Sequence, residues 1–415
     1  MTLSEELQWR GFVNQTTLNK ITDLDKKPLT FYWGVDPSAS SMTVGNLAAA
    51  MMVRVFMKYG HKPVLLVGGA TGLIGDPDGK AQERDLKSPE EIAKNKAAIV
   101  AQYRQIFKNE DFKIVDNYEW FKDMNYLDFL RDIGKHVPLR VMLARDFIQS
   151  RLGEDGAGIS YAEFSYSLIQ GYDFLHLFEK HSVTLQLSGA DQWGNCIAGV
   201  DLIRRKTGKE AHVWTVPLVV NKATGKKFGK SEDGAIWLDP ELTSVFKFYQ
   251  FWLNIDDESA EEYLKIYTEL DKATHAKLIA DFRKDKAGRI AQKTLAYEVT
   301  KLVHGEKQAD SVKRVSEVLF GKGSYHDLKA EDFKVLQSEL PVVKTKVAND
   351  LIVALVEAGL ASSNSEARRF LQQKAVYLNG QQVEADYQLT IDDRLSGHHA
   401  LVKRGKNSFA VLEIN

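Results

Sequence analysis

Residues 31–75 read FYWGVDPSASSMTVGNLAAAMMVRVFMKYGHKPVLLVGGATGLIG, and the alternation within this stretch decides the fold. Phe31 to Val35 is a short apolar run ending in Asp36-Pro37, the pattern of a strand and its turn. Val44 to Tyr59 is apolar at helical spacing and is closed by Gly60, a good C-terminal stop. Pro63 to Val67 has the composition of a buried strand, and Gly68-Gly69-Ala70-Thr71-Gly72-Leu73-Ile74-Gly75 follows it. Working outward, Ser88-Pro89-Glu90-Glu91 has the pattern of a capping box with proline at the first helical position, opening a helix to about Phe107. Thr184 to Leu187 and Val213 to Val219 supply later strands of the same apolar type. Strand alternating with helix predicts an α/β fold, a parallel sheet with helices on both faces. Ligands of such sheets sit at the carboxyl ends of the strands, where the polar motifs of this chain cluster.

The chain has 415 residues, 44% hydrophobic and 27% charged, enough for two or three globular domains. Its formal net charge of -1 gives no global positive field for nucleic acid, so an RNA footprint has to be a local patch. The single cysteine, Cys196, excludes an internal disulfide and any multi-cysteine metal cage. Met1 to Arg10 lacks the basic start and apolar stretch of a secretory signal. No run approaches the roughly 18 apolar residues of a membrane span. These features predict a reduced cytoplasmic protein with no membrane partner.

Beyond residue 239 the strand signal fades. Helical patterns such as Ser259 to Leu270 and Ile290 to Val303 predict a helical domain over 240–330. Residues 331–346 read as a linker, and 347–415 as a small C-terminal domain. In that last segment Asp350 to Glu357 is a short amphipathic helix stopped by Gly359, and Ser363-Asn364-Ser365-Glu366 caps a second. Strand, tight Asn379-Gly380 turn and strand then follow.

Four stretches carry chemistry. The Gly-rich turn at 68–75 fits a nucleotide loop, and equally a dehydrogenase loop or a plain tight turn. Tyr166, Gln170 and Asp173 lie at i, i+4 and i+7 and so share one helix face. Phe164, Leu168, Tyr172 and Phe174 crowd the same helix, so its polar side chains should be buried and need partners. Lys226-Lys227-Phe228-Gly229-Lys230-Ser231 is a lysine-rich loop, a composition that also suits a solvated turn. Gln186 and Gly189-Ala190-Asp191-Gln192-Trp193-Gly194-Asn195 form the most specific run.

Taken together, these runs resemble bacterial tyrosyl-tRNA synthetases, members of the class I aminoacyl-tRNA synthetases, and the resemblance covers nearly the whole chain. It implies a Rossmann-type catalytic domain over 1–239, a helical anticodon-side domain over 240–330, and a small α+β RNA-binding domain over 347–415 like a ribosomal small-subunit protein. It implies a tyrosine–tRNA ligase that converts tyrosine and ATP, with Mg2+, to tyrosyl-adenylate and then charges tRNA(Tyr). Tyr32 and Asp173 would meet the substrate phenol, and Asp76, Tyr166 and Gln170 the α-ammonium. Asp191 and Gln192 would face the ribose and the amino-acid backbone. Asp36, Ser38 and Gly45 would lie on the ATP side. These synthetases are themselves the standard instance of a site that rejects an analogue lacking the hydroxyl.

By the same resemblance Lys227, Lys230 and Ser231 match the mobile lysine loop, whose ammonium groups answer charge that develops on pyrophosphate. Lys80 and Arg84 match basic residues that serve pyrophosphate and the tRNA end. Thr43 and Asn46 stand where the class carries His-x-Gly-His, so a hydroxyl that can donate to a phosphate replaces the first histidine. Thr43 is also a reasonable helix cap. Trp33 stands where a small residue is common, next to the pocket. Arg368, Arg369, Lys403, Arg404 and Lys406 would form the RNA patch of the last domain. Phe129 to His136 resembles the dimer interface, which implies a homodimer. Two other readings stay open here. Thr43 motivates an RNA-binding relative that has lost activation, although Lys227, Lys230, Asp76 and Asp191 remain. Activation of another aromatic acid such as tryptophan also fits the class, although Tyr32 with Asp173 suits a phenol.

Overall fold

The computed structural model describes residues 1–77, 85–108, 110–153, 158–220, 228–231, 234–384 and 386–415. For 146, 147, 230 and 231 it describes the backbone alone. The chain divides into two compact units, Met1–Thr243 with Ile255–Ala291, and Ser244–Asn254 with Gln292–Asn415.

The first unit is built on a five-stranded parallel sheet in the order β3-β2-β1-β4-β5. Its strands are β1 (Thr30–Val35), β2 (Lys62–Val67), β3 (Lys113–Asp116), β4 (Leu185–Gly189) and β5 (His212–Val216). The α/β expectation therefore holds. β2 is buried along five successive residues, as a sheet covered on both faces requires. Leu3–Arg10 (α1) precedes the sheet, and Val44–Lys58 (α2) connects β1 to β2. Almost every side chain of α2 is buried, and Gly60 turns the chain out of it at φ 82. Gly69–Ile74 (α3) and Pro89–Ile106 (α4) follow β2, and the Ser88 hydroxyl caps α4 by accepting from the Glu91 amide.

Tyr161–His181 (α5) and Trp193–Thr207 (α6) pack backbone to backbone at two glycines. A Cβ on Gly199 would sit 2.9 Å from the Phe174 Cβ, and one on Gly171 3.3 Å from the Gly199 amide. This close approach holds the Tyr166-Gln170-Asp173 face against the sheet. Asp257–Tyr267 (α7) is tied to α1 by Arg10, which pairs with Glu6 and donates to the carbonyls of Lys265, Thr268 and Leu270. A short antiparallel pair, β6 (Lys230–Ser231) with β7 (Gly234–Ala235), also belongs to the unit.

The second unit carries a mixed sheet in the order β10-β9-β11-β12-β8. Its strands are β8 (Val342–Thr345), β9 (Val376–Leu378), β10 (Gln381–Gln382), β11 (His399–Arg404) and β12 (Ser408–Ile414). Its helices include α8 (Glu306–Phe320), α9 (Ala330–Glu339), α10 (Leu351–Glu357) and α11 (Asn364–Gln372). Leu355 of α10, Leu371 of α11, Val402 and Leu412 form a core on one face of the sheet. Phe320 and Phe333 lie on the other, against Phe409 and His399. The Asn379-Gly380 turn has both φ values positive, 48 and 84, as a two-residue hairpin of matching twist needs.

Two boundaries differ from the sequence expectation. Residues 331–346 are not a linker: they form most of α9 and all of β8, which pairs in parallel with β12. Asp332 fixes this segment, accepting the Arg314 guanidinium, the Ser311 hydroxyl and the Lys329 amide. β8 is too short, and too exposed on alternate residues, to announce itself without its neighbour. The helical stretch 240–330 is likewise not one body, because 255–291 belongs with the first unit and the rest from 244 with the second. Arg10 is the reason on one side, and the Gln250–Ser316 hydrogen bond on the other.

Candidate active site

A cavity of about 320 Å³ opens at the carboxyl ends of β1, β4 and β5. Tyr32, Asp36 and Ser38 enter it from β1 and its turn, and Thr43, Gly45 and Asn46 from the start of α2. Tyr166, Gln170 and Asp173 come from α5, Gln186 from β4, Asp191 and Gln192 from the turn after it, and Asp76 from beyond α3. The fold thus gathers residues separated by more than a hundred positions. Every tyrosine-side residue expected from the sequence lines this one space.

At one end Asp173 is buried. It accepts from Asn117 Nδ2 at 3.1 Å and from the Trp120 indole at 2.9 Å. Burial pushes its carboxyl well above the usual aspartate range, and those two donors pull against it. Tyr32 is buried beside Phe174, its ring centroid 5.3 Å away. Burial raises its phenol far above the usual value, and the Asp173 charge adds to this, so the hydroxyl stays protonated. Tyr32 Oη, Gln170 Oε1 and Gln186 Oε1 are buried without a hydrogen-bond partner among the described residues. Such atoms are costly unless something fills the space they face.

At the other end Asp36 accepts from Tyr166 Oη and from Thr71 Oγ1, each at 2.6 Å. Asn117 Nδ2 also reaches Thr71 Oγ1 at 2.9 Å, so one chain of hydrogen bonds joins Asp173 to Asp36. Gln192 Nε2 donates to Asp76 at 2.5 Å, Asn195 Nδ2 to Gln192 at 3.1 Å, and Arg145 to Asn195 at 2.8 Å. The arrangement puts acidic oxygens at one end of the cavity and a buried phenol and carboxyl at the other.

The sequence reading missed Asn117, Trp120 and Thr71. Asn117 and Trp120 follow β3, a strand of four residues that lacks a long apolar run. The signal was present as Ile114-Val115 followed by Asp116-Asn117, a β-branched pair ended by turn formers. The Gly-rich turn also serves a different end. A Cβ on Gly68 would lie 2.1 Å from Asp36 Oδ1, and one on Gly69 2.2 Å from Asp116 Oδ1. These glycines make room for two carboxylates, while the glycines that line the cavity are Gly34, Gly45 and Gly189. Trp33 also lines the cavity, and its ring packs against Tyr103 of α4 and Phe107 just after that helix.

Within the lysine loop, Phe228 and Gly229 lie beside α2. Gly229 has φ 94, and a Cβ there would press on Val44 at 2.8 Å. Lys80, Arg84 and Lys227 lie outside the described residues, and Lys230 and Ser231 are described only as backbone of β6.

In the second unit Arg404 and Arg369 both lie over the Phe370 ring, at 5.0 and 5.5 Å. Arg368 and Lys406 are exposed. Lys403 does not join them. It pairs with Phe409 across β11 and β12, its ammonium 5.2 Å from that ring, on the face opposite Val402 and α11. Adjacent strand residues point to opposite faces, so Lys403 and Arg404 cannot share one patch.

Residues 24–321 match the family described as tRNA synthetases class I (W and Y), and residues 332–412 match the Tyrosine--tRNA ligase SYY-like C-terminal domain. The chain is 43% identical over 425 residues to the tyrosine–tRNA ligase of Rhodopirellula baltica, covering 99% of this chain and 96% of that one. It is 42% identical to the tyrosine–tRNA ligase of Streptococcus pyogenes, covering 99% and 100%. A C-terminally truncated mitochondrial tyrosyl-tRNA synthetase of Aspergillus nidulans superposes with a TM-score of 0.69 at 30% identity, over 77% of this chain and 94% of that one. With the cavity, the sheet order and the polar chain from Asp173 to Asp36 in view, the chain belongs to the class I tRNA synthetases of the tryptophan and tyrosine group.

Proposed function

We infer that this chain is a tyrosine–tRNA ligase: it activates tyrosine with ATP and transfers it to the 3′ end of tRNA(Tyr) for protein synthesis. Its relatives bear that name over the full chain. The observation that carries the choice of tyrosine is the set of buried, unpartnered atoms around Asp173. A substrate phenol that donates to Asp173 and meets Tyr32 Oη would satisfy the end of the cavity. Phenylalanine would bury the same groups and leave them unpaired. Tryptophan is disfavoured by the same pair.

In this reading Asp76, Tyr166, Gln170 and Gln192 hold the α-ammonium and backbone of tyrosine, which aims its carboxylate at the α-phosphate. A carboxylate oxygen bonds to that phosphorus, the bond to the bridging oxygen breaks, and pyrophosphate leaves. A hydroxyl of the tRNA terminal ribose then attacks the acyl carbon, and AMP leaves. No covalent enzyme intermediate is needed, so catalysis is positioning plus charge stabilisation. Mg2+ enters with ATP as part of the substrate. Asp36, Ser38, Gly45, Asn46 and Asp191 serve the nucleotide side, and Lys80, Arg84, Lys227, Lys230 and Ser231 the departing pyrophosphate.

The partners follow the same reading. Arg368, Arg369, Arg404 and Lys406 serve tRNA in the second unit. The exposed apolar side chains Tyr126, Leu127, Leu139, Val141, Leu152 and Tyr161 support a homodimer as the working form. No helix among the described residues is long and apolar enough to cross a membrane. We assign the enzyme to the cytoplasm, where its substrates are.

The test is ATP–pyrophosphate exchange driven by tyrosine, phenylalanine or tryptophan. Robust exchange with tyrosine alone is the expected result. Equal exchange with phenylalanine would overturn the assigned pocket. Exchange that appears only in the Thr43→His variant would favour an RNA-binding relative that has lost activation.

A further inference from the structure

Thr43 stands where the resemblance to the class implies a histidine, and its contacts differ from those of a phosphate ligand. It is the N-cap of α2, with φ -103 and ψ 170. Asn46 Oδ1 accepts two hydrogen bonds from it, one from the Thr43 backbone amide at 2.9 Å and one from the Thr43 hydroxyl at 3.0 Å. The backbone amide can only donate, so the carboxamide atom facing it must be the oxygen. Asn46 Nδ2 is thereby turned away from Thr43. It has no hydrogen bond to any described residue, and Asn46 lines the cavity.

The clamp rests on a fixed base. Thr43 forms an antiparallel bridge with Trp237, flanked by Val44 N to Ile236 O at 3.1 Å and Leu238 N to Met42 O at 2.9 Å. Ile236 N in turn donates to the carbonyl of Gly229, a residue of the lysine loop, at 2.9 Å. The Thr43 backbone therefore has little freedom to move toward a ligand.

A threonine hydroxyl carries one proton, and here it is spent on Asn46. What remains are lone pairs, and a triphosphate is itself all acceptors. We propose that Thr43 is a positioning residue, not a phosphate ligand: its amide and hydroxyl hold the Asn46 carboxamide so that both Nδ2 protons face the bound nucleotide. Asn46 is then the donor at this corner of the site. The hydroxyl that the sequence placed on a phosphate acts one residue removed. This inference rests on the assignment of the cavity to ATP and tyrosine.

A double-mutant cycle tests it, using Thr43→Val, Thr43→Ser, Asn46→Ala and the double variant Thr43→Val/Asn46→Ala. Two quantities are read on folded protein: the Kd of Mg·ATP by calorimetry, and kcat/KM for ATP in tyrosine-dependent exchange. Thermal melts confirm folding. Valine is expected to weaken ATP use about five- to tenfold, the scale of one lost hydrogen bond, and serine to restore most of it. The double variant should be no worse than Asn46→Ala alone, because the hydroxyl then has nothing left to orient.

If the two losses multiply, Thr43 touches the nucleotide on its own and the proposal falls. If valine lowers the melting temperature and leaves both ATP readouts unchanged, Thr43 is only a helix cap and the proposal also falls. The calorimetric arm keeps the two inferences separate. ATP binding that follows the expected cycle without tyrosine-dependent exchange would uphold the Thr43 assignment and overturn the activating function. Absence of ATP binding in the native chain would overturn both.

Discussion

Asp173 and Asp332 are both buried, at 2% and 0% exposure, yet their surroundings are opposite in kind. Asp332 is gripped by a cation: Arg314 reaches its two oxygens from Nε and Nη2, each at 2.9 Å, and Ser311 and the Lys329 amide add two more donors. Asp173 has two neutral donors, and the charges that act on it from Asp36 and Asp116 are of its own sign. Nothing in its contacts offsets the charge. Asp332 thus has four donors, while the cavity that holds Asp173 also holds the unpartnered Tyr32 Oη, Gln170 Oε1 and Gln186 Oε1. On the proposed function, the contrast separates a carboxylate that holds a fold from one that meets a ligand. A buried acid paired with arginine has its partner inside the chain, whereas a buried acid among orphaned atoms has it outside.

Removing each acid's central interaction should break different things. Asp173→Ala is expected to lower kcat/KM for tyrosine in the exchange assay on the order of a thousandfold, through loss of the hydrogen bond to the substrate phenol plus the stranding of Asn117 and Trp120. Unchanged exchange would erase the distinction between the two acids. Arg314→Ala strands the Asp332 charge instead. It should destabilise the second unit by about 3 kcal/mol in denaturant unfolding and leave tyrosine activation intact. Loss of activation with no loss of stability would show that the roles had been read the wrong way round.

The comparison also has a pH signature. The folded-state pKa of Asp173 is raised, so the native protein keeps a proton that the unfolded chain releases from about pH 4 upward. Stability therefore falls with rising pH across that window, by up to about 1.4 kcal/mol per pH unit, until the folded pKa is passed. Asp173→Asn lacks this titration. Thermal midpoints of the native chain and of this variant, measured without ligand from pH 4 upward, should diverge until the folded pKa is passed. Parallel curves would mean that Asp173 is not held in its protonated form.

The sheet was legible in the sequence because its strands are buried on both faces and announce themselves as apolar runs, Phe31 to Val35 and Pro63 to Val67 among them. The Tyr166-Gln170-Asp173 wall of the cavity was legible for a related reason: polar residues at i, i+4 and i+7 on a buried helix must converge on something. What stayed hidden depended on contacts distant in sequence. β8 is exposed at alternate residues and is defined by its pairing with β12, some seventy residues on. Asn117 and Trp120 matter only because β3 sets them against α5. Lys403 was misplaced because a run of basic residues reads as one patch, while strand alternation sends neighbours to opposite faces.

The smallest effect is the sharpest, because its sign alone decides the matter. Tyr32 Oη is buried and unpartnered, so in the empty enzyme it costs the desolvation of a hydroxyl and gains no bond in return. Tyr32→Phe deletes that oxygen and leaves the ring beside Phe174. The variant should be more stable than the native chain without ligand, by about 1 kcal/mol, and should bind tyrosine more weakly. An ordinary core tyrosine with a satisfied hydroxyl would lose stability on the same change. Phenylalanine that destabilises the empty protein would therefore mean that this oxygen already has a partner within the chain, and the cavity around Asp173 would no longer differ in kind from the joint around Asp332.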